Sequence, residues 1–475
     1  MFGKVRVLLI ALIISLTGCS TGHSAHISNV SSEAPSHEHT FSNEWSWDEY
    51  YHWHDATCGH NVTTEKEKHS FSYWHYSNNE KWRQCEICGY KETITVEDDY
   101  KNFIFTLNDD QMSFSIRGAS IGKSENTDII YIPDYYNNLP ITHIEDHAFD
   151  HWKKIASLYI GDNVKSIGKY AFYQIPIETA DLGISTEEID EWAFHYCCIK
   201  QLTFHDKLRI VRKCGLSGNQ ITKLDLESLE IIGDSAFSGC NMEELKLHDN
   251  VRTIGSCAFH ANGLSGTIEI PKSVESIGWS AFGTNRYIDE FKVHPDNEHL
   301  VAYNGMLFTK DLKKIIECPE NKDDSFEIPE SLEIVGECAF YKVRSLKEFH
   351  CPDNLTTIEQ AAFSSSDLEN ITFNDKITTI GAVAFCGTNF VSFSFPITVA
   401  RIENGCFSSL YYLEQFTMHN KVTYIGSSAF SYMRLLTNID YLGTMEEWNN
   451  IEKSDEEWHS DTLKTITCTD GVIDL

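Results

Sequence analysis

The sequence predicts a β-rich (α/β) solenoid of about 12 coils, and three observations carry that prediction. First, the phrase Ile-Gly-x-x-Ala-Phe returns at a fixed period. Ala-Phe stands at 148–149, 171–172, 193–194, 236–237, 258–259, 281–282, 339–340, 362–363, 384–385 and 429–430, with Cys406-Phe407 as a further copy. Successive Phe residues are 22 or 23 apart except for two gaps, of 43 and 58. The shorter gap holds a degraded copy, Ile210-Val211-Arg212-Lys213-Cys214-Gly215, which brings the units to twelve. A period in the twenties marks a stack of repeats, each too small to bury its apolar face alone. Second, a short alternating run precedes each phrase, as in Leu158-Tyr159-Ile160, Leu224-Asp225-Leu226 and Ile268-Glu269-Ile270. Apolar residues at i and i+2 around a polar one read as a strand with one face inward. Third, Ala is small where coils press together, and Phe then forms an interior ladder of rings that buries large apolar area. The Gly after Ile suits a bend, although Glu145, Asp190, Glu359 and Glu403 replace it in other copies.

The fuller pattern Leu-x-x-Leu-x-Ile-Pro-x-x-Val-x-x-Ile-Gly-x-x-Ala-Phe, clearest from Ile268-Glu269-Ile270-Pro271 through Val274 and Ile277-Gly278 to Phe282, resembles the BspA-like (treponemal-type) leucine-rich repeat. That resemblance implies a curved right-handed leucine-rich repeat arc. It also implies a surface-exposed or secreted protein that binds other molecules, often host proteins or other cells.

Taken in order, the chain begins with Lys4 and Arg6 ahead of an apolar run, Val7–Leu16, that is a signal-peptide core too short to span a bilayer. Leu16-Thr17-Gly18-Cys19 looks like a bacterial lipobox, so residues 1–18 read as a lipoprotein signal peptide and Cys19 as the lipidated residue. Two or three acyl chains there anchor stably. Residues 19–38, rich in Ser, His and Asn, read as a flexible tether. The expectation is an exported protein, lipid-anchored to a bacterial membrane and exposed at the cell surface.

Residues 39–97 change texture and crowd Trp, His and Cys together. Cys85-Glu86-Ile87-Cys88-Gly89 has the shape of a zinc knuckle. Asp55-Ala56-Thr57-Cys58-Gly59 looks like a second knuckle with Asp as its first ligand. Soft thiolates and imidazoles suit zinc, so Cys58, Cys85 and Cys88 with one of His54, Asp55 or His60 form one candidate structural site. The rival reading is a disulfide or plain thiols in an exported module that needs a staple.

Residues 98–128 form a β cap, with Phe103–Leu107 and Met112–Ile116 alternating around Asn108-Asp109-Asp110 as a hairpin over the first coil's open edge. The repeats fill 129–440, with an insertion at about 291–326 where Asn304-Gly305 between apolar flanks signals a hairpin turn. Residues 441–475, with Trp448 and Trp458, read as a closing cap of one short helix and a last strand. Cys197, Cys240, Cys257, Cys338 and Cys351 fall at phases that point inside, where cysteine acts as a small hydrophobe.

Net charge of -32 makes nucleic acid an unfavourable partner. No phosphate-binding glycine loop, His-Glu-x-x-His or calcium-loop spacing is present, and Gly215-Leu216-Ser217-Gly218 lacks a hydrolase's strand-turn-helix setting. The expectation is therefore a non-enzymatic, adhesin-like protein without a small-molecule substrate, binding extracellular proteins or cells. Glycan or polymer capture and an envelope scaffold are the alternatives. The candidate binding residues are the outward column of the strands: Tyr131, Tyr159, Asp181, Thr203, Asp225, Lys246, Glu269, Lys292, Glu327 and His350.

Overall fold

The computed structural model describes residues 39–48, 50–58, 61–71, 75–77, 80–95, 103–119, 127–150, 152–454 and 457–475. The segments read as signal peptide and tether, with Cys19, and the candidate ligand His60 lie outside them. The chain divides into two compact units, residues 1–99 and 100–475.

The first unit carries two small antiparallel sheets. One is β1 (Ser46–Trp47), β2 (Tyr51–Trp53) and β3 (Glu67–Lys68); the other is β4 (His75–Ser77), β5 (Glu80–Gln84) and β6 (Lys91–Thr95). A single bridge between Phe71 and Cys85 joins the chain after β3 to the end of β5.

The second unit is the winding. Each coil sets down a longer strand, such as Ile155–Ile160, and then a two-residue strand, such as Ser166–Ile167. The short strands stack in parallel with one inward aliphatic per coil, so Ile144, Ile167, Ile189, Val211, Ile232, Ile254 and the half-buried Ile277 form one continuous column. Every Phe of the repeat is interior, and Phe259 is 0% exposed. The rings stack almost parallel along the winding. Centroids are 4.8 Å apart for Phe149 and Phe172, 5.0 Å for Phe172 and Phe194, and 5.2 Å for Phe340 and Phe363. These spacings follow the strand-to-strand repeat of roughly 4.8 Å with a small offset. Leu216 fills the ring's place in the degraded copy and is fully buried.

The winding has about 15 turns where the repeats alone predict 12. The three extra strands of the short-strand ladder come from the flanking segments and the insertion. The cap hairpin of β7 (Phe103–Leu107) and β8 (Phe114–Ala119) lays β8 parallel to Leu139–Ile144. In the insertion, Lys314–Glu317 pairs in parallel with Ile334–Val335. Near the end, Glu452–Lys453 pairs in parallel with Tyr424–Ile425. A segment without the repeat phrase joins the stack because ladder hydrogen bonds are made by backbone, not by side chains. The helix α1 (Met445–Asn449) is held by a capping box of Thr444 and Glu447, and Gly471–Asp474 closes the far edge antiparallel.

The glycine of the phrase has a packing cause, and one expectation about the cysteines needs correction. The Gly after Ile does not sit in the left-handed region. A Cβ at Gly168 would lie 2.7 Å from the Asp146 amide nitrogen, and one at Gly278 would lie 2.3 Å from that of Ser256, so closeness of the preceding coil selects glycine there. The left-handed residue comes two positions later: Tyr170, Trp192, Cys257, Cys338 and Val383 have φ of 57°, 60°, 55°, 57° and 50°. This turn carries Cys257 and Cys338 to partly exposed positions, and Cys351 is also only partly buried, whereas Cys197 and Cys240 are buried as expected.

The insertion's Asn304-Gly305 turn joins Leu300–Tyr303 to Met306–Thr309, with φ of 49° and 73° at its two central residues. That double left-handed pair matches the twist of a two-residue hairpin. The interruption leaves Phe282 without the next coil's carbonyl, which Phe259 finds at Ala281. Instead both carboxylate oxygens of Glu317 accept the Phe282 N–H, at 3.1 and 3.2 Å, and Glu320 accepts that of Thr284. Glu317 is buried, and the loss of water pushes its carboxyl up to about 8.

Candidate functional site

Two places in the molecule gather chemically distinctive side chains. In the first unit, one ligand atom each from His52, His69, Cys85 and Cys88 all lie within 4.8 Å of one another. β2 supplies His52 and the residue after β3 supplies His69, while the turn between β5 and β6 supplies both cysteines. The turn closes through Gly89, whose φ of 74° lets its amide reach the Cys85 carbonyl at 2.9 Å. Burial pushes the Cys85 thiol up, but the amides of Cys88 and Ile87 aimed at the sulfur outweigh it and bring the group down to about 7. Cys88 is raised, chiefly by burial. His52 is 0% exposed, and burial followed by the neighbouring His69 holds it below the ordinary imidazole range.

Cys85 and Cys88 stand together in one turn, but the residues expected to join them stand elsewhere. Cys58 is exposed and lies 3.0 Å from His39 Nδ1. His54 stacks on Trp45 and reaches the Glu44 carbonyl. Asp55 accepts from Ser46 Oγ and Trp53 Nε1. The sequence reading missed His52 and His69. Their spacing to the cysteines is long, and only antiparallel pairing brings them near; the one local sign was a His-rich strand.

The second place is the surface of the winding. The predicted strand column exists as a register: Tyr131, Tyr159, Asp181 and Thr203 are successive neighbours, as are Asp225 with Lys246 and Glu269 with Lys292. His350 pairs with Thr372. Glu327 is exposed but belongs to no strand, a correction that follows from the insertion's irregular return path. Much of the column pairs with itself. Tyr131 and Tyr159 stack at 4.9 Å, Asp225 meets His248 at 2.6 Å and Lys246 at 3.7 Å, and Lys292 pairs with Glu290 at 2.7 Å.

A stronger feature lies on the turns that flank Ala-Phe in the first coils. His147, Tyr170 and Trp192 occupy the same repeat position, two before the Phe, and stack in order at 4.9 and 6.2 Å. Tyr173 and His195, one after the Phe, stack beside them at 5.5 Å, and Tyr196 packs edge-on against His195 while 57% exposed. Repeat numbering alone would have revealed these columns. They were missed because only strand positions were read as outward.

Residues 123–228, 213–323 and 317–437 match the BspA type Leucine rich repeat region, in six copies. No curated protein matches the chain. Among solved structures, a leucine rich cell surface protein from Faecalibacterium prausnitzii A2-165 is similar at 25% identity and a TM-score of 0.60, covering 74% of this chain and 96% of its own. The pneumococcal vaccine antigen PcpA shares the fold at 19% identity and a TM-score of 0.56, covering 84% of this chain and 93% of its own. Among the described residues no helix is long and apolar enough to cross a membrane. A match over most of the repeats, the ring ladder and the parallel winding agree: this chain belongs to the BspA-type leucine-rich repeat family.

Proposed function

We propose that the chain is a non-enzymatic surface receptor, lipid-anchored through Cys19, that binds an extracellular or host protein, or another cell through such a protein. The observation that carries this reading is the aromatic cluster of His147, Tyr170, Tyr173, Trp192, His195 and Tyr196 on adjacent coils. Tyr and Trp bring large contact area at low entropic cost and dominate protein interfaces. The cluster is rigid because each ring is braced by its neighbour, so little freedom is lost on binding. Glycan capture fits less well. A sugar needs an open ring face, and in the two stacked columns and the Tyr131–Tyr159 pair the faces are largely turned to one another. The acidic chain favours basic or neutral partners and disfavours nucleic acid.

The test has two arms. Full-length protein is screened on arrays of extracellular proteins and of glycans, beside Trp192→Ala and Tyr196→Ala variants with unchanged circular dichroism. Protein-selective binding that drops at least about tenfold in the variants, as expected for interface hot spots, supports the reading; glycan-only binding or indifference to both substitutions sinks it. Cys19→Ala is expected to release the protein from membranes into the medium, and retention would refute the anchor.

A further inference from the structure

We propose that His52, His69, Cys85 and Cys88 bind a single structural zinc ion that ties the two sheets of the N-terminal module together. Tetrahedral zinc with Zn–S of about 2.3 Å and Zn–N of about 2.0 Å sets its ligand atoms about 3.3–3.8 Å apart. Cys88 Sγ lies 3.4 Å from His69 Nδ1, and Cys85 Sγ lies 4.0 Å from His52 Nδ1. These two pairs are within about half an ångström of that geometry, and with all four ligand atoms inside 4.8 Å of one another the widest pair needs to close by at most about 1.5 Å.

The surrounding shell is set for a metal. His69 Nε2 lies 2.8 Å from the Asp48 carbonyl oxygen, which fixes the proton on Nε2 and leaves the Nδ1 lone pair facing the sulfurs. His52 Nε2 is fully buried without a hydrogen-bond partner, and the nearest carboxylate oxygen, on Glu67, is 3.8 Å away. A metal on Nδ1 places a proton on that Nε2, directed at Glu67, and so gives the orphaned nitrogen its use. Without a metal on Nδ1, that buried and unpaired nitrogen costs stability.

Charge and topology agree. Two thiolates neutralise Zn²⁺, two neutral imidazoles complete the shell, and binding releases the two thiol protons. One pair of ligands belongs to each sheet, and the strands are only two to five residues long. Such short sheets cannot build a sufficient core, and a metal supplies what burial does not. Four protein ligands leave no open coordination position, so the ion is structural, not catalytic. A Cys85–Cys88 disulfide is the competing fate, and it would leave the Nδ1 atoms of both histidines facing no thiolate.

The full-length protein, purified under reducing conditions with zinc and dialysed, should hold one zinc per chain by elemental analysis. Cobalt added to the metal-free protein should produce the visible bands of tetrahedral cobalt and a thiolate charge-transfer band. Cys85→Ser and His52→Ala should abolish both signals, whereas Cys58→Ser should retain them. Because the first two variants risk unfolding the module, the cobalt spectrum of the unaltered chain and the Cys58→Ser result stand as independent readouts. Absence of stoichiometric zinc, a cobalt spectrum without thiolate bands, equal loss in Cys58→Ser, or a Cys85–Cys88 disulfide found by mass mapping in protein isolated without reductant would overturn the proposal.

Discussion

In the winding, each Phe of the repeat phrase has an equivalent 22 or 23 residues away, and Phe259 is braced by Phe237 on one side and Phe282 on the other. In the N-terminal module His52, His69, Cys85 and Cys88 are each used once, and among the described residues no second such group stands behind them. Between these extremes lies the insertion, where the period lapses and two carboxylates, Glu317 and Glu320, replace the carbonyls of an absent coil. The contrast teaches where stability is distributed and where it is concentrated. Stacked repeats share it as nearest-neighbour terms, so damage stays local. A module held by a few polar side chains loses its structure as a unit.

The sharpest test of that contrast is Cys85→Ser. It should abolish resistance of residues 39–95 to proteolysis while leaving the thermal transition of the repeats unmoved; a joint loss would mean that the two units do not fold separately. Next comes Phe259→Ala, expected to cost about 3–5 kcal/mol by leaving a cavity between two rings. Chemical denaturation reads it, and a loss under about 1 kcal/mol would contradict an interior ring.

At the insertion, Glu317→Ala should cost about 1–3 kcal/mol because the Phe282 amide loses its acceptor, whereas Glu317→Gln keeps an acceptor and should be tolerated. The pH dependence has a definite sign. The folded carboxyl titrates near 8 against an ordinary 4.5, so the folded state holds a proton that the unfolded state has released. Stability from this group is therefore greatest at low pH and falls as pH rises between those values. Urea titrations across that range should show a slope that Gln removes; an unchanged slope would mean that Glu317 is not the group responsible. The smallest effect belongs to the outward column: Lys246→Ala should stay within about 0.5 kcal/mol of the parent chain, and a larger loss would show that the charge pairs there are structural.

Much of this architecture could be read from residues alone because its determinants repeat at short range. Ile, Ala and Phe recur at fixed offsets within each coil, so Ile254, Ala258 and Phe259 announce their burial without reference to distant contacts. The Asn304-Gly305 turn was equally legible, since its two positive φ values are a local demand. What the repeat phrase could not show was that β8, Lys314–Glu317 and Glu452–Lys453 also join the ladder, because backbone hydrogen bonding accepts segments of unrelated sequence. Nor could residue identity show that Glu317 is buried, since an acidic residue in an acidic chain reads first as surface.

The sequence by itself determined the period, the winding and the interior ladder of rings, together with the closeness of Cys85 and Cys88 in one turn, because each is written in residues close along the chain. Tertiary structure alone decided that His52 and His69, not Cys58, His54 or Asp55, face those sulfurs. That depends on which strands lie side by side, and strand pairing is settled by contacts between residues far apart in sequence.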